Sequence, residues 1–181
     1  MQRPLIKHCR QCGTPVQYRI PDDGDTRERA VCPACGTIHY VNPLLVVGTV
    51  PYLGDQVLLC QRAIEPRRGK WTLPAGFMEM DETLAQGAAR ETAEEAGARI
   101  EMGAFYSAMS IPRIGQVHVF YLARLLSAHF DPGPESAQAR LFTEDQIPWD
   151  ELAFTAVRRT LECFFEDRRR GGFGVHDFDI A

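Results

Sequence analysis

Three glutamates near the middle of the chain have a spacing suited to binding a divalent cation. Glu91, Glu94 and Glu95 stand at positions i, i+3 and i+4, so a helix would place their carboxylates on one face. Like charges this close repel each other, and their pKa values rise unless a cation neutralises them. Mg²⁺ and Mn²⁺ prefer oxygen ligands and also bridge phosphate oxygens. The pattern predicts a Mg²⁺ or Mn²⁺ site for phosphate chemistry, and the plainer alternative is a charged helix that faces solvent.

Cysteines are the other residues with metal-binding spacing. Four of the six form two C-x-x-C pairs with 19 residues between the pairs: Cys9, Cys12, Cys32 and Cys35. Two such pairs supply the tetrahedral set of four thiolates that structural Zn²⁺ prefers. Disulfides or a redox site are the alternative, but the setting is not thioredoxin-like and no secretory signal precedes the pairs. Cys60 and Cys163 lie in apolar runs and are predicted to be core thiols.

Length, composition and charge limit the class of protein. The chain has 181 residues, enough for one ordinary domain and a small appendage, with 45% hydrophobic and 24% charged residues. Its net charge of -4 argues against nucleic acid as a main partner. No apolar run approaches the roughly 20 residues that span a bilayer. We expect a cytoplasmic protein that binds a small nucleotide and no membrane, and a homodimer is left open.

Changes in composition divide the chain into three parts. Residues 1–40 hold the cysteine pairs and are predicted to form a small zinc ribbon, in which metal binding supplies the folding energy. Residues 41–171 have the apolar content of a packed domain, and residues 172–181 are predicted to be a C-terminal tail. The glutamates, and the chemistry they predict, fall in the second part.

Strand-like runs begin the packed domain. Residues 46–52 and 56–60 are apolar and are separated by a Gly-Asp pair at 54–55, which predicts a hairpin. Residues 71–74 are predicted to form a short strand just before the glutamate region. Residues 117–123 follow that region with a further strand pattern. The glutamates are therefore expected on a helix that lies between strands.

Two helices are predicted. Asp81 is the predicted N-cap of a helix over residues 82–96, and Gly97 is placed as its C-terminal stop. The second helix is predicted from apolar residues at helical spacing and ends near Gly171. Those apolar residues are Phe154, Val157, Leu161, Phe164 and Phe165. The first helix carries the three glutamates.

The glutamate helix resembles a known family motif. The spacing runs Gly76, five residues, Glu82, seven residues, Arg90-Glu91, two residues, Glu94-Glu95, one residue, Gly97. This resembles the Nudix box, G-x5-E-x7-R-E-U-x-E-E-x-G-U, where U is a bulky apolar residue. Every charged and glycine position fits, whereas Thr92 and Ala98 depart at the two apolar positions. The resemblance implies an α/β/α sandwich with a mixed sheet, preceded here by the zinc ribbon.

The resemblance also implies roles for the charged residues. Glu91 and Glu95 would be the principal ligands of the catalytic Mg²⁺ or Mn²⁺, and Glu94 a further ligand or a base. Arg90 and Glu82 would be a supporting pair, because a guanidinium can orient a carboxylate through a bidentate bond. Water activated by the metal would attack one phosphorus of a pyrophosphate, with neutralisation of charge as the main aid.

The general base is less clear from the family pattern. In Nudix hydrolases it comes either from the box or from a later loop, which makes Glu135 and Glu144 candidates. Each is alternatively a solvated loop carboxylate. The main-chain carbonyl near Ala75 or Gly76 commonly joins the metal ligands in this family.

The rest of the chain resembles zinc-ribbon Nudix hydrolases related to the plant FAD and ADP-ribose pyrophosphatase. The matching stretches are residues 41–43, 71–76, 111–116 and 132–136. The implied reactions split FAD into FMN and AMP, or ADP-ribose into AMP and ribose 5-phosphate. NADH pyrophosphatases share the ribbon but carry an S-Q-P-W-P-F-P-x-S signature after the box, which residues 105–113 lack. We therefore expect FAD and ADP-ribose to be better substrates than NADH, with an NADH pyrophosphatase or a non-catalytic nucleotide-binding regulator as alternatives.

A dinucleotide-like ligand needs cations for its phosphates and flat apolar faces for its bases. Arg62 and Arg113 are candidate phosphate contacts, and Phe105 and Tyr106 are candidate base contacts. Each has an alternative as an ordinary surface charge or core aromatic. His118, within a strand pattern, is predicted to be a structural residue of the sheet.

Overall fold

The computed structural model describes residues 6–180, and its internal contacts divide the chain into two units at Pro43/Leu44. The expected boundary, between residues 40 and 41, lies three residues earlier. Because Leu44 already begins a sheet strand of the second unit, residues 41–43 remain with the first. Within the described residues, no helix has both the length and the apolar character needed to cross a membrane.

The first unit is a ribbon of three short antiparallel strands. They are β1 (Gln17–Arg19), β2 (Arg29–Val31) and β3 (Ile38–His39), in the order β1-β2-β3. The buried apolar residues in this unit, among those described, are Cys9, Pro21, Ala30, Val31 and Cys32. So small a core does not hold a domain together by itself, which agrees with the expected role of metal in folding it.

The second unit is built on an eight-stranded mixed sheet. Its strands are β4 (Leu44–Leu53), β5 (Gln56–Arg62), β6 (Trp71–Thr72), β7 (Ala75–Phe77), β8 (Ile100–Ile111), β9 (Gln116–Leu125), β10 (Ser136–Phe142) and β11 (His176–Asp179). The main order is β10-β5-β4-β9-β8-β11, with β6 paired to β5 and β7 paired to β4. The β4/β9 and β8/β11 pairs are parallel, and the other pairs are antiparallel.

Helices cover both faces of this sheet. Helix α1 (Leu84–Ala96) places Ala88 in a buried cluster with Val47 of β4. Helix α2 (Thr155–Arg170) places Leu161 in the large cluster that contains Val50. Positions 47 and 50 point to opposite faces of β4, because side chains alternate along a strand. The predicted α/β/α sandwich with a mixed sheet is confirmed.

Helix α1 begins two residues later than expected. The N-cap is Thr83, whose hydroxyl accepts from the Gln86 N–H at 3.2 Å, while the Gln86 side chain accepts from the Thr83 N–H at 2.8 Å. This reciprocal pair is a capping box, which outcompetes Asp81 as a cap. Asp81 instead lies in the preceding turn, with a φ of 68°. The predicted stop at Gly97 is confirmed by its left-handed conformation, with a φ of 59°.

Residues 172–180 are not a tail. They return to the sheet as β11, which pairs with β8 in the register His176↔Ser107. The buried carboxylate of Asp167 fixes this return, because it accepts from Tyr106 Oη at 3.1 Å, Gly174 N at 3.1 Å and His176 Nε2 at 2.7 Å. The sequence of this segment has too short an apolar pattern to predict a strand.

Candidate active site

Arg90 is the centre of the charged cluster on α1. Its guanidinium binds Glu82 in a bidentate manner, with Nε donating to Oε2 at 3.0 Å and Nη2 to Oε1 at 2.8 Å. Nη1 donates to Glu91 at 2.7 Å and to Glu94 at 3.0 Å, and Nη2 also donates to the Phe77 carbonyl at 3.1 Å. All five N–H groups of the guanidinium are thereby used. Arg90 holds three carboxylates and the strand before the helix in one arrangement.

The carboxylates of this cluster differ in their pKa values. Burial raises the pKa of Glu95 to about 7, although its carboxylate accepts from the Ala75 N–H at 3.1 Å. Burial likewise raises the pKa of Glu91, against the opposing effect of Arg90. The bonds from Arg90 lower the pKa of Glu82 to about 2. Glu82 is therefore a permanent counter-ion, whereas Glu91 and Glu95 are buried carboxylates that a cation would stabilise in the charged form.

Gly76 and Gly87 make room for these carboxylates. A Cβ at Gly76 would lie 2.4 Å from both carboxylate oxygens of Glu91, and a Cβ at Gly87 would lie 2.6 Å from Glu82 Oε1. Both contacts are shorter than atoms tolerate, so a side chain at either position would displace a carboxylate. Gly76 thus leaves the space that the Glu91 carboxylate occupies.

The donor set fits a hard divalent cation. It consists of carboxylate oxygens from Glu91, Glu95 and Glu94, two buried and one with a side chain 60% exposed to solvent. An exposed ligand beside two buried ones leaves the site open to water and substrate on one side, as a catalytic cation requires. Across residues 6–180, only the ribbon cysteines bring three or more ligand atoms within 4.8 Å of one another. The three glutamates do not converge to that separation; the Arg90 Nη1 bridges Glu91 and Glu94, and Glu95 is bonded to the Ala75 N–H.

Glu135 and Arg62 approach this cluster from distant parts of the sequence. The Glu135 carboxylate contributes to raising the pKa of both Glu91 and Glu95, and the Arg62 guanidinium acts in the opposite direction on Glu95. The Ala63 N–H donates to the Glu135 carbonyl at 2.8 Å, which ties the two segments together. Glu135 therefore lies where a base could serve the cluster.

The loop that leads to Glu135 packs on the end of α1. The Asp131 N–H donates to the Ala96 carbonyl at 3.0 Å. At Gly133 a Cβ would lie 2.2 Å from the Glu94 carbonyl oxygen, so only glycine permits this approach. Glu144, the other candidate base, is engaged elsewhere, because its carboxylate accepts from Arg169 of α2 at 2.6 and 2.7 Å. Both residues stay predictions as the loop base, and of the two it is Glu135 whose loop packs on the end of α1.

The four residues expected to contact substrate have different surroundings. Arg62 is half-buried, with its guanidinium carbon 5.3 Å from the centre of the Phe154 ring. Phe105 is half-buried against Tyr121, and Arg113 is exposed in the turn between β8 and β9. Tyr106 is fully buried and donates to Asp167, so its prediction as a base contact is wrong. A β-bulge at residues 105–107 turns its ring into the core.

Phe77 is an aromatic residue that sequence reasoning missed. Its side chain is 51% exposed, while its carbonyl is held by Arg90 at 3.1 Å. An exposed aromatic residue whose main chain is bonded to the centre of the carboxylate cluster is a candidate contact for a nucleobase. The available signal was an aromatic residue directly after Gly76, in a segment whose carbonyls the motif already places near the metal.

The ribbon cysteines form the second candidate metal centre. Their four sulfurs lie within 4.8 Å of one another, with Cys12 Sγ 3.4 Å from Cys32 Sγ and Cys9 Sγ 3.6 Å from Cys35 Sγ. Zn–S bonds of about 2.3 Å in a tetrahedron would separate the sulfurs by about 3.8 Å, so the set fits zinc. The two knuckles have matching turns, in which the N–H of Gly13 donates to Cys9 and that of Gly36 to Cys32.

Both units correspond to known families. The family model described as the NUDIX domain matches residues 43–162, and the one described as Nudix N-terminal matches residues 7–41. The chain belongs to the Nudix family. The predicted Nudix domain and zinc ribbon are thereby confirmed, and the carboxylate cluster of α1 is the helix of the Nudix box.

Curated Nudix relatives carry two kinds of name. The "NAD-capped RNA hydrolase NudC" of Deinococcus radiodurans is 32% identical over 171 residues, which is 91% of this chain and 58% of that protein. The "ADP-ribose pyrophosphatase" of Methanocaldococcus jannaschii is 26% identical over 119 residues, covering 64% of this chain and 69% of that protein. The chain thus spans less than two thirds of the length of the NudC relatives that it matches.

Solved Nudix structures agree with this fold. A NUDIX hydrolase from Nitrosomonas europaea is 51% identical with a TM-score of 0.93, covering 97% of this chain and 99% of that one. An ADP-ribose pyrophosphatase from Streptococcus suis is 26% identical with a TM-score of 0.62, covering 76% of this chain and all of that one. The first similarity includes the ribbon, since it extends over nearly the whole chain.

Proposed function

We propose that the protein is a hydrolase that depends on a divalent cation and cleaves the pyrophosphate bond of nucleoside diphosphate compounds with an ADP half. The observation that carries this proposal is the carboxylate cluster of α1, in which Arg90 binds Glu82, Glu91 and Glu94 while Glu95 is buried beside it. A ligand-binding regulator has no use for buried, mutually repelling carboxylates.

Each residue of the cluster has a distinct task in this proposal. Glu91 and Glu95 would hold Mg²⁺ or Mn²⁺, with Glu94 as a further ligand at the exposed side. When bound, the cation supplies charge neutralisation at the phosphates and lowers the pKa of water. Arg90 and Glu82 orient the ligands. Glu135 is the proposed proton acceptor for the attacking water, because its loop packs on the end of α1 and its charge acts on Glu91 and Glu95, although it is not one of the box residues.

Substrate contacts are proposed on either side of the cluster. Arg62 remains the proposed phosphate contact, and its charge, which acts on Glu95, supports this proposal. Phe77 offers an exposed ring for a base, and Phe105 and Arg113 remain candidates on the strand β8 side. Apolar or aromatic faces of this kind tolerate different bases.

ADP-ribose is the proposed first substrate. It is named for a Methanocaldococcus jannaschii relative and for a Streptococcus suis structure, each 26% identical to this chain. NADH is the second candidate, because the NudC relatives match 91% of the chain. FAD remains a third candidate substrate because of the sequence resemblance to the plant FAD and ADP-ribose pyrophosphatase. All three share an ADP half, and the absence of the S-Q-P-W-P-F-P-x-S signature favours ADP-ribose over NADH.

A side-by-side measurement of kcat/KM for ADP-ribose, NADH and FAD, with Mg²⁺ and with Mn²⁺, tests this proposal. We expect AMP as a product from each compound that is cleaved, and the highest kcat/KM with ADP-ribose. A short NAD-capped RNA belongs in the same series. Preference for the RNA over free NADH would contradict the expectation, drawn from the net charge of -4, that nucleic acid is not a partner. Failure to hydrolyse any of the four with either cation would refute the hydrolase.

A further inference from the structure

A cavity of about 270 Å³ lies between the β5–β6 loop and the segment that leads into α2. Its walls include the charged residues Arg67, Asp150 and Arg158 and the aromatic residues Trp149 and Phe154. The volume is too small for a whole dinucleotide but suits one charged group of a larger ligand. None of the residues expected from sequence to contact substrate lines it.

Arg67 enters this cavity from a loop that is held in a rare conformation. Its φ is 68°, in the left-handed region that a side chain rarely adopts unless its surroundings fix it. The surrounding bonds run from Lys70 N to the Arg67 carbonyl at 3.1 Å and from Gly69 N to the Arg62 carbonyl at 2.8 Å. Arg62 Nε also donates to the Pro66 carbonyl at 2.8 Å. The backbone that carries the Arg67 guanidinium is therefore preformed.

Arg158 provides a second guanidinium from α2. Its Nη2 donates to the Trp149 carbonyl at 2.5 Å, and its guanidinium carbon lies 5.6 Å from the centre of the Trp149 ring. Asp150 is 3.6 Å away, but its side chain is fully exposed, so this pair is weak and can open. The two arginines leave the lining with a net positive charge, because Asp150 is its one acidic residue.

Phe154 connects the cavity to the carboxylate cluster. The ring lines the cavity, and the Arg62 guanidinium lies over that ring with its carbon 5.3 Å from the centre. Cys60, two residues before Arg62 on β5, contacts the end of α1, because its Sγ donates to the Glu95 carbonyl at 3.8 Å. Side chains two residues apart on a strand point to the same face, so β5 joins the cavity to the carboxylate cluster. A substrate whose pyrophosphate lies at the cluster would then have its ribose on the side of the cavity.

We propose that this cavity binds a phosphoryl group carried on a ribose of the substrate, such as a ribose 2′-phosphate, in addition to the pyrophosphate that is cleaved. This rests on the proposed function for the identity of the substrate. Guanidinium groups recognise phosphate through paired, charge-assisted hydrogen bonds, and two arginines in one lining supply the charge to match a phosphoryl dianion. The cavity then selects between substrates that are alike at the reacting bond.

Isothermal titration of the full chain, without added divalent cation, tests the site directly. Adenosine 2′,5′-bisphosphate should bind at least about tenfold more tightly than AMP, as one or two charge-assisted bonds predict. Arg67→Gln and Arg158→Gln should each remove most of this difference, and Arg67→Lys should restore part of it. Arg68→Gln is the matched control, since Arg68 is exposed in the same loop and does not line the cavity. Equal affinity of the wild type for both ligands would overturn the proposal.

Kinetics separate this inference from the proposed function. The ratio of kcat/KM for ADP-ribose 2′-phosphate to that for ADP-ribose should fall about tenfold in Arg67→Gln and remain unchanged in Arg68→Gln. Equal losses for both substrates in Arg67→Gln would overturn the inference and leave the hydrolase intact. No hydrolysis of either compound, with the preference for the bisphosphate preserved in titration, would refute the hydrolase while supporting the cavity. If inorganic phosphate alone binds with the same dependence on Arg67 while the bisphosphate has no advantage, the site serves free phosphate, and the proposal fails.

Discussion

The two candidate metal centres of this chain have opposite constructions. In the ribbon, four sulfurs converge within 4.8 Å of one another and no further ligand is needed to complete a tetrahedron. On α1, the three carboxylates do not converge so closely, and the side chain of Glu94 is 60% exposed and shares the Arg90 Nη1 with Glu91. The first arrangement is closed and suits a structural ion. The second leaves room for water and phosphate, as catalysis requires.

The two centres also differ in what holds their ligands. The ribbon sulfurs are positioned by two short turns, in which Gly13 and Gly36 both have a φ of 74°. The glutamates are positioned by a guanidinium and by a helix packed on a large sheet. Loss of the metal should therefore unfold the ribbon, whereas loss of a ligand on α1 should leave the fold intact and remove the activity.

The largest effect is expected in the ribbon. Cys32→Ser should lower the zinc content from about one equivalent per chain to near zero, because three thiolates do not close the site. Apparent binding energies of structural zinc are about 10–16 kcal/mol, so residues 6–43 should lose their amide protection in hydrogen exchange. Cys163→Ser, outside the ribbon, should retain the metal. Full zinc content in Cys32→Ser, measured by elemental analysis without chelators, would contradict a four-cysteine site.

The next largest effect is catalytic. Glu95→Gln and Glu91→Gln should lower kcat by about 10²–10³-fold or more, because each removes charge that stabilises the transition state through the cation. The melting temperature should stay near that of the wild type, since each change replaces a buried carboxylate by a neutral group of equal size. Glu101→Gln, an exposed residue paired with Arg124, is the control. A variant of either glutamate with normal turnover would refute the assignment of the metal ligands.

A smaller effect should follow from disturbing the residue that arranges the carboxylates. Arg90→Lys should lower kcat about 10–100-fold and raise the concentration of Mg²⁺ needed for half-maximal rate, because an ammonium cannot make the five bonds of the guanidinium. Arg99→Lys, an exposed position just beyond the helix, serves for comparison. If the variant loses activity without any change in the metal requirement, Arg90 acts on something other than the ligands.

The features predicted correctly from the sequence are local ones, in which the spacing of residues within a short segment carries the information. The cysteine pairs, the hairpin at 54–55 and the pattern from Gly76 to Gly97 are all local, so residue type and separation suffice to recognise them. Strand β8 was missed, because bulges between residues 102 and 107 break its alternation. The same irregularity turns Tyr106 into the core. The proximity of Glu135 depends on packing between distant segments, which no local pattern contains.

The smallest effect, on the free energy of unfolding, should come from the Asp167 carboxylate, which belongs to neither candidate metal centre. The bonds to Asp167 from His176, Gly174 and Tyr106 outweigh its burial and lower its pKa. Since the folded pKa lies below the unfolded value, the ionised group stabilises the protein above about pH 4, and this stabilisation is lost as the pH falls through the folded pKa. The difference in unfolding free energy between wild type and Asp167→Asn, about 1–3 kcal/mol at pH 7, should shrink at pH 3.

Denaturant titrations at both pH values measure this difference, with Asp177→Asn as the control because Asp177 is exposed on β11, the strand that Asp167 fixes. A stability difference that does not depend on pH would mean that the packing of Asp167, and not its charge, holds β11 on the sheet. Charged groups with a predicted role in metal binding would then remain only in the ribbon and on α1, among the sites compared.

The contact between the loop at residues 131–133 and the end of α1 couples the position of the proposed base to that of the proposed metal ligands. Asp131 is bonded to Ala96, and the Gly133 main chain lies against the Glu94 carbonyl, so a tilt of the helix carries the loop with it. The Ala63 N–H also holds the Glu135 carbonyl at the end of β5, so the loop links the end of α1 to the sheet through the residue proposed as the base. An extra residue inserted between Gly133 and Glu135 would break that coupling, whereas one inserted in the turn after β10 would leave it in place.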